Sequence, residues 1–216
     1  MIIRGGITKI EKEAFYGCTC LEYVEISEGV TEIEEGAFSG CTNLYAVTMP
    51  ESLEKIGEGA FMQSGFINVV IPENVSEIGA SAFRGCKKLT SVTLPNGLET
   101  IRTDLFKECG VLRHVKIGSG LKSIQTGAFR GCIWLTELVL PEGVERISTM
   151  AFSECVRLRT LYIPDSIKYI GSGAFGDCMR LEISYGGTME QWRAVSKTGY
   201  EQSIKTVCKD GVLNDD

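Results

Sequence analysis

Seven of the nine cysteines in this 216-residue chain, Cys18, Cys41, Cys86, Cys109, Cys132, Cys155 and Cys178, occupy one position of a recurring phrase, "SAFRGC" at 81–86 and "GAFRGC" at 127–132 among its forms. Thiols in such number could form disulfides, hold a tetrahedral metal or act as nucleophiles. Their even spacing argues for a ladder of small buried hydrophobes instead. Parallel Cβ vectors on neighbouring rungs do not give disulfide geometry, and a ladder does not converge four ligands on one ion. Cys20 and Cys208 fall outside this register and are the expected reactive thiols.

Other reactive groups fare no better. His114 is the only histidine, and it falls on an outward strand position beside Lys116 with no registered nucleophile to serve. Glu28, Glu51, Glu73, Asn96, Ser119, Glu142 and Asp165 recur after each strand, and a row of oxygens suits calcium in principle. Acidic and amide residues also suit turns, and no "DxDxDG" loop is present. No carboxylate pair is set in a readable cleft, and phosphate loops and dinucleotide fingerprints are missing. These patterns predict no catalytic residue, cofactor or metal.

Charge and hydropathy narrow the classes further. Twenty-two basic and 28 acidic residues leave a formal net charge of −6, and the only adjacent lysines are Lys87 and Lys88. Such scatter supplies no basic stripe for nucleic acid. The longest apolar runs fall far short of the roughly 20 residues that span a bilayer, so membrane insertion is not expected. "MIIRGGITKIEKEAF" has neither the apolar core nor the cleavage site of a signal peptide. As written, the chain reads as cytoplasmic.

The elements that position these residues follow from the period. Phe15, Phe38, Phe61, Phe83, Phe106, Phe129, Phe152 and Phe175 are spaced by 23 residues except for one step of 22, which indicates a solenoid. Isoleucine stands five residues before each phenylalanine, and leucine six after seven of them. Alternating pairs such as Val92/Leu94 then read as a short strand, usually closed by proline and a turn. The short step falls at Ser64, in a loop, where Phe66 takes the leucine place.

The expected fold is a leucine-rich-repeat solenoid of about eight stacked coils, curved and right-handed. Each coil is a short strand plus one helical or 3₁₀ turn over "AFxxC", since that segment is too short for a stable helix. Rungs at roughly 4.8 Å bury the repeated side chains as continuous ladders. Residues 1–181 form the solenoid and 182–216 a closing unit. In "TMEQWRAV", Thr188 and Gln191 stand at capping-box spacing, Met189, Trp192 and Val195 share a helical face, and Gly199 is the expected stop. A "KDG" turn at 209–211 and a frayed "LNDD" tail follow.

With isoleucine, "AF", cysteine, leucine and strand–proline aligned over eight coils, the chain resembles the BspA-like leucine-rich-repeat family. The later "ISYGGTMEQWRAV" and "TVCKDG" resemble its C-terminal closing unit. The resemblance implies bacterial or protist proteins, often on the cell surface or secreted, that act in adhesion and protein binding. It implies such a location for this chain if it is a fragment of a typical member.

What remains for function is the outward strand face: Tyr23, Glu25, Ala46, Thr48, Asn68, Val70, Ser91, Thr93, His114, Lys116, Glu137, Val139, Thr160 and Tyr162. Solenoid strands form extended surfaces for recognising macromolecules, and Tyr23 and Tyr162 are suited to anchor a partner. The expected function is a non-enzymatic interaction module, its partner another protein or an extracellular-matrix or host-surface component, with no nucleic acid. A structural spacer in a larger surface protein is the alternative, and a hydrolase the least favoured. Met1, Ile3, Ile7 and Ile10 belong to an incomplete, uncapped coil, an edge that offers end-to-end self-association.

Overall fold

A computed structural model describes residues 1–3, 6–199 and 204–213. Each coil contributes a strand to a first face and a two-residue strand to a second. In order these are β1 (Ile2–Ile3), β2 (Lys9–Ile10), β3 (Tyr23–Ile26), β4 (Glu32–Ile33), β5 (Ala46–Thr48), β6 (Lys55–Ile56), β7 (Asn68–Val70), β8 (Glu77–Ile78), β9 (Ser91–Thr93) and β10 (Thr100–Ile101). They continue as β11 (His114–Lys116), β12 (Ser123–Ile124), β13 (Glu137–Val139), β14 (Arg146–Ile147), β15 (Thr160–Ile163), β16 (Tyr169–Ile170) and β17 (Glu182–Tyr185). Helix α1 (Met189–Ala194) then precedes β18 (Ser196–Lys197), β19 (Lys205–Cys208) and β20 (Gly211–Leu213). Since β17 and β18 extend both faces by one more rung, the solenoid has about nine turns rather than eight.

All rungs pair in parallel, β19 with β20 excepted. The first face is three consecutive sheets, β1-β3-β5, β7-β9-β11 and β13-β15-β17-β19-β20, and the second is two, β2-β4-β6-β8 and β10-β12-β14-β16-β18. Between the faces lies one core in which the phenylalanines stack face to face, from 5.0 Å between Phe15 and Phe38 to 6.0 Å between Phe152 and Phe175. Where the repeat is one residue short, Phe66 packs edge-on against Phe61 at 5.2 Å and fills the gap.

The "AFxxC" segment is not helical, which corrects the expectation of a helical or 3₁₀ turn. Two residues per coil lie in the left-handed region, as Gly36 (φ 61°) and Gly40 (φ 74°) do around Ala37–Ser39. Helices cannot propagate through alternating hands of backbone. Donors alternate as a result. Ala37, Ser39 and Cys41 bond back within the coil to Glu34, Gly36 and Phe38, while Gly36, Phe38 and Gly40 bond across to Glu58, Ala60 and Met62 of the next. This zigzag stitches the coils together on a third side.

The cysteine ladder is more than small and apolar. Each buried member from Cys86 to Cys178 donates its thiol proton to a phenylalanine carbonyl of the preceding coil, at 3.1–3.3 Å, as does Cys41 to Phe15. Ser64, at the short step, donates from Oγ to Phe38 at 3.0 Å and so keeps the bond that its neighbours make. All nine thiols are free. Two assignments are corrected: Cys18 is exposed because no coil covers it, and Cys208 is buried at 8% exposure under the C-terminal elements.

The C-terminal elements close the stack. Thr188 accepts from the Gln191 amide while Gln191 Oε1 accepts from the Thr188 amide, the reciprocal box its sequence predicts. Trp192 and Val195 are buried, the former at 4.9 Å from the Tyr185 ring. The helix stops at Ala194 rather than near Gly199, because Val195 is extended and leads straight into β18. The "KDG" turn joins β19 to β20, and Asn214–Asp216 of the tail lie outside the described residues.

Candidate functional site

Pleating sends alternate strand residues outward, and parallel register lines them up. One row runs Tyr23–Ala46, then Asn68–Ser91–His114, then Glu137–Thr160–Glu182. The other runs Glu25–Thr48, then Val70–Thr93–Lys116, then Val139–Tyr162–Ser184. Val70 and Val139 stand out at 72% and 68% exposure. Tyr23 shares a 3.0 Å hydrogen bond with Thr48, and Tyr162 donates to Glu142 at 2.9 Å. Burial, then the Glu142 carboxylate, pushes the Tyr162 phenol upward. Both tyrosines are thereby held in place along the face.

The hydroxyl nearest the one imidazole of this face is directed elsewhere. His114 is exposed, and the hydroxyl of its neighbour Ser91 donates to Asn68 at 2.6 Å rather than to the imidazole. The post-strand carboxylates have structural work: Glu28 accepts from the amides of Glu51 and Ser52, Glu73 from Asn96, and Asn96 in turn from Ser119. Each ties its turn to the next coil. Among the described residues no three His, Cys, Asp or Glu side chains are grouped to hold a metal ion, and no helix is long and apolar enough to cross a membrane.

The rows are interrupted. β11 ends one sheet and β13 begins the next, although they belong to consecutive coils. The turn after β11 is "GSG" instead of proline–turn, and it lies hard against the coil before. A Cβ added at Gly118 would come within 2.1 Å of the Pro95 carbonyl oxygen. With β11 paired to β9 alone, Val115 and Ile117 are only partly buried, whereas Val92 and Leu94 at the same places are 2% exposed. A cavity of about 530 Å³ covers this seam, lined by His114, Val115, Lys116, Ile117, Val139 and Tyr162 among others.

Beside the seam is a group of residues that the sequence analysis passed over. Trp134 is flanked by Arg113 from the preceding coil, 4.4 Å from the ring centre, and Arg157 from the following one, at 3.6 Å. Arg157, Arg159 and Arg180 with Thr136 and Val156 line a second hollow of about 450 Å³. These arginines are far apart in sequence and read as scattered charge. Register would have revealed them: Trp134, Arg157 and Arg180 stand two places after a ladder cysteine, Arg113 and Arg159 one after a ladder leucine.

The comparisons agree with this architecture. The family model described as BspA type leucine-rich repeat region matches residues 8–133 and, overlapping them, 55–182. The fold is similar to that of a leucine-rich repeat protein from Bacteroides ovatus, with TM-score 0.69 and 27% identity, over 96% of this chain and 62% of that one. It is also similar to the T. pallidum leucine rich repeat protein, with TM-score 0.58 and 27% identity, over 92% and 84% of the respective chains. The chain thus spans less than two thirds of the length of the Bacteroides protein. No curated protein matches it.

Proposed function

Because this chain belongs to the BspA-type leucine-rich-repeat family, we propose that it is a non-enzymatic interaction module that binds a protein along its strand face. Leucine-rich repeats are a general protein-interaction fold. The observation that carries the reading is the pair of registered outward rows, in which Val70 and Val139 stay open to solvent among Thr, Ser, Tyr and charged side chains. Exposed apolar groups beside held tyrosines are the usual makings of a contact surface. Adhesion to a host or matrix protein is the use we favour, as the family resemblance implies, with residues 182–216 closing the binding unit.

Site-specific photo-crosslinking tests it. A benzophenone side chain placed at Val70 or Val139 should trap a defined partner when the protein is exposed to host-surface extracts, while one at Lys122, beside the second face, should not. Equal trapping at all three, or none at any, would favour a spacer that only sets distance within a larger protein.

A further inference from the structure

We infer that the strand face is built to hold an acidic, extended segment of its protein partner, laid along the open seam between β11 and β13 with carboxylates reaching the arginines beside it. This rests on the protein-binding reading above and specifies the partner's chemistry.

Uncompensated charge is the first support. Several cations elsewhere are matched across coils: Lys9 and Lys55 with Glu32, Arg102 with Glu77, Arg130 with Glu154. Among the described residues, Arg113, Arg157, Arg159 and Arg180 have no such carboxylate, on a chain whose net charge is −6. Like charges gathered without counter-charges repel one another, and Trp134 holds two of them in position by cation–π contact. Their forked N–H edges remain for an external anion, and guanidinium geometry suits a carboxylate.

The seam supplies the second support and decides which anion. A strand end without a partner presents main-chain N–H and C=O groups that an added peptide strand can pair with. β11 and β13 each have such an edge toward the other, and Arg113 lines the seam cavity as well as the arginine group. A nucleic acid or sulfated glycan would meet the arginines but could not supply peptide groups at strand spacing. The acidic remainder of the surface would also repel a long polyanion, whereas a short segment feels mainly what lies within roughly 8–10 Å of it.

Fluorescence anisotropy with a labelled peptide of alternating glutamate and threonine, about ten residues long, tests the inference directly. It should bind at low salt, perturb the emission of Trp134, and weaken as salt rises. R157Q/R180Q, which alters two exposed side chains, should lose roughly tenfold in affinity while keeping its circular dichroism. A peptide of equal charge with proline at alternate positions should also lose affinity, since it lacks the donors a strand needs. The inference is overturned if the parent peptide does not bind, if R157Q/R180Q binds it unchanged, if the proline peptide binds equally well, or if a sulfated dodecasaccharide binds and the peptide does not. Partner trapping at Val70 and Val139 that survives such a result would leave the protein-binding reading standing and remove only the acidic-strand assignment.

Discussion

At the residue scale, the cysteine position shows what a repeat asks of a side chain. It needs small volume, burial and one proton to donate, because the phenylalanine carbonyl of the coil before points at it. Ser64 satisfies the last demand with Oγ where the others use Sγ. Buried donors and acceptors left without partners cost about 1–3 kcal/mol, so the bond should outweigh the polarity of a hydroxyl here. We expect Cys109→Ser to destabilise by less than about 1 kcal/mol and Cys109→Val, which removes one of the two bonds the Phe83 carbonyl accepts, the Cys86 amide keeping the other, and adds bulk, by about 2–3 kcal/mol. Urea unfolding measures both. The reverse order, usual where cysteine is merely hydrophobic, would mean that the bond contributes nothing. The sequence hints at this only through Ser64, since cysteine itself reads equally well as a small hydrophobe.

At the element scale, strands, ladders and the capping helix were legible because each writes a periodic or local signature: alternation for the strands, 23-residue spacing for the core, Thr188 and Gln191 for the cap. The third side was misread because its signature is half erased. Left-handed positions are filled by glycine in some coils and by Glu13, Ser81, Met150 or Glu154 in others, so glycine does not mark them reliably. Nor does register say which rung ends the stack, which is why Cys18 was misplaced, or how the hairpin folds over Cys208. The arginine edge was hidden for a related reason, its members being a coil or more apart. Gly131 (φ 74°) separates the two readings of the third side, since an added Cβ would meet nothing closer than 3.7 Å. In a helix Gly131→Ala would stabilise by about 1 kcal/mol. In the left-handed turn it should destabilise by about 1 kcal/mol. The sign of the shift in thermal midpoint decides between them.

At the scale of the whole molecule, stacking turns a local habit into a collective property. Burial pushes the Cys86 thiol up to about 12 and holds those of Cys109, Cys132 and Cys155 well above their ordinary value. An unfolded chain would release these protons near pH 8.5–9. Below that range both states keep them, and the ladder is fully stabilising. Above it the unfolded state binds fewer protons than the folded one, so stability falls as pH rises, by about 1.4 kcal/mol per pH unit for each thiol. Four such groups together remove roughly 5 kcal/mol per pH unit, against a total of about 5–15 kcal/mol for a typical domain. The solenoid should therefore unfold cooperatively between about pH 9 and 11, with thiolate absorbance rising in step with the loss of circular dichroism rather than before it. Serine at these four positions, on the precedent of Ser64, should move that transition to higher pH. Thiolate absorbance that climbs while the secondary structure stays intact would show that solvent reaches the ladder in the folded protein.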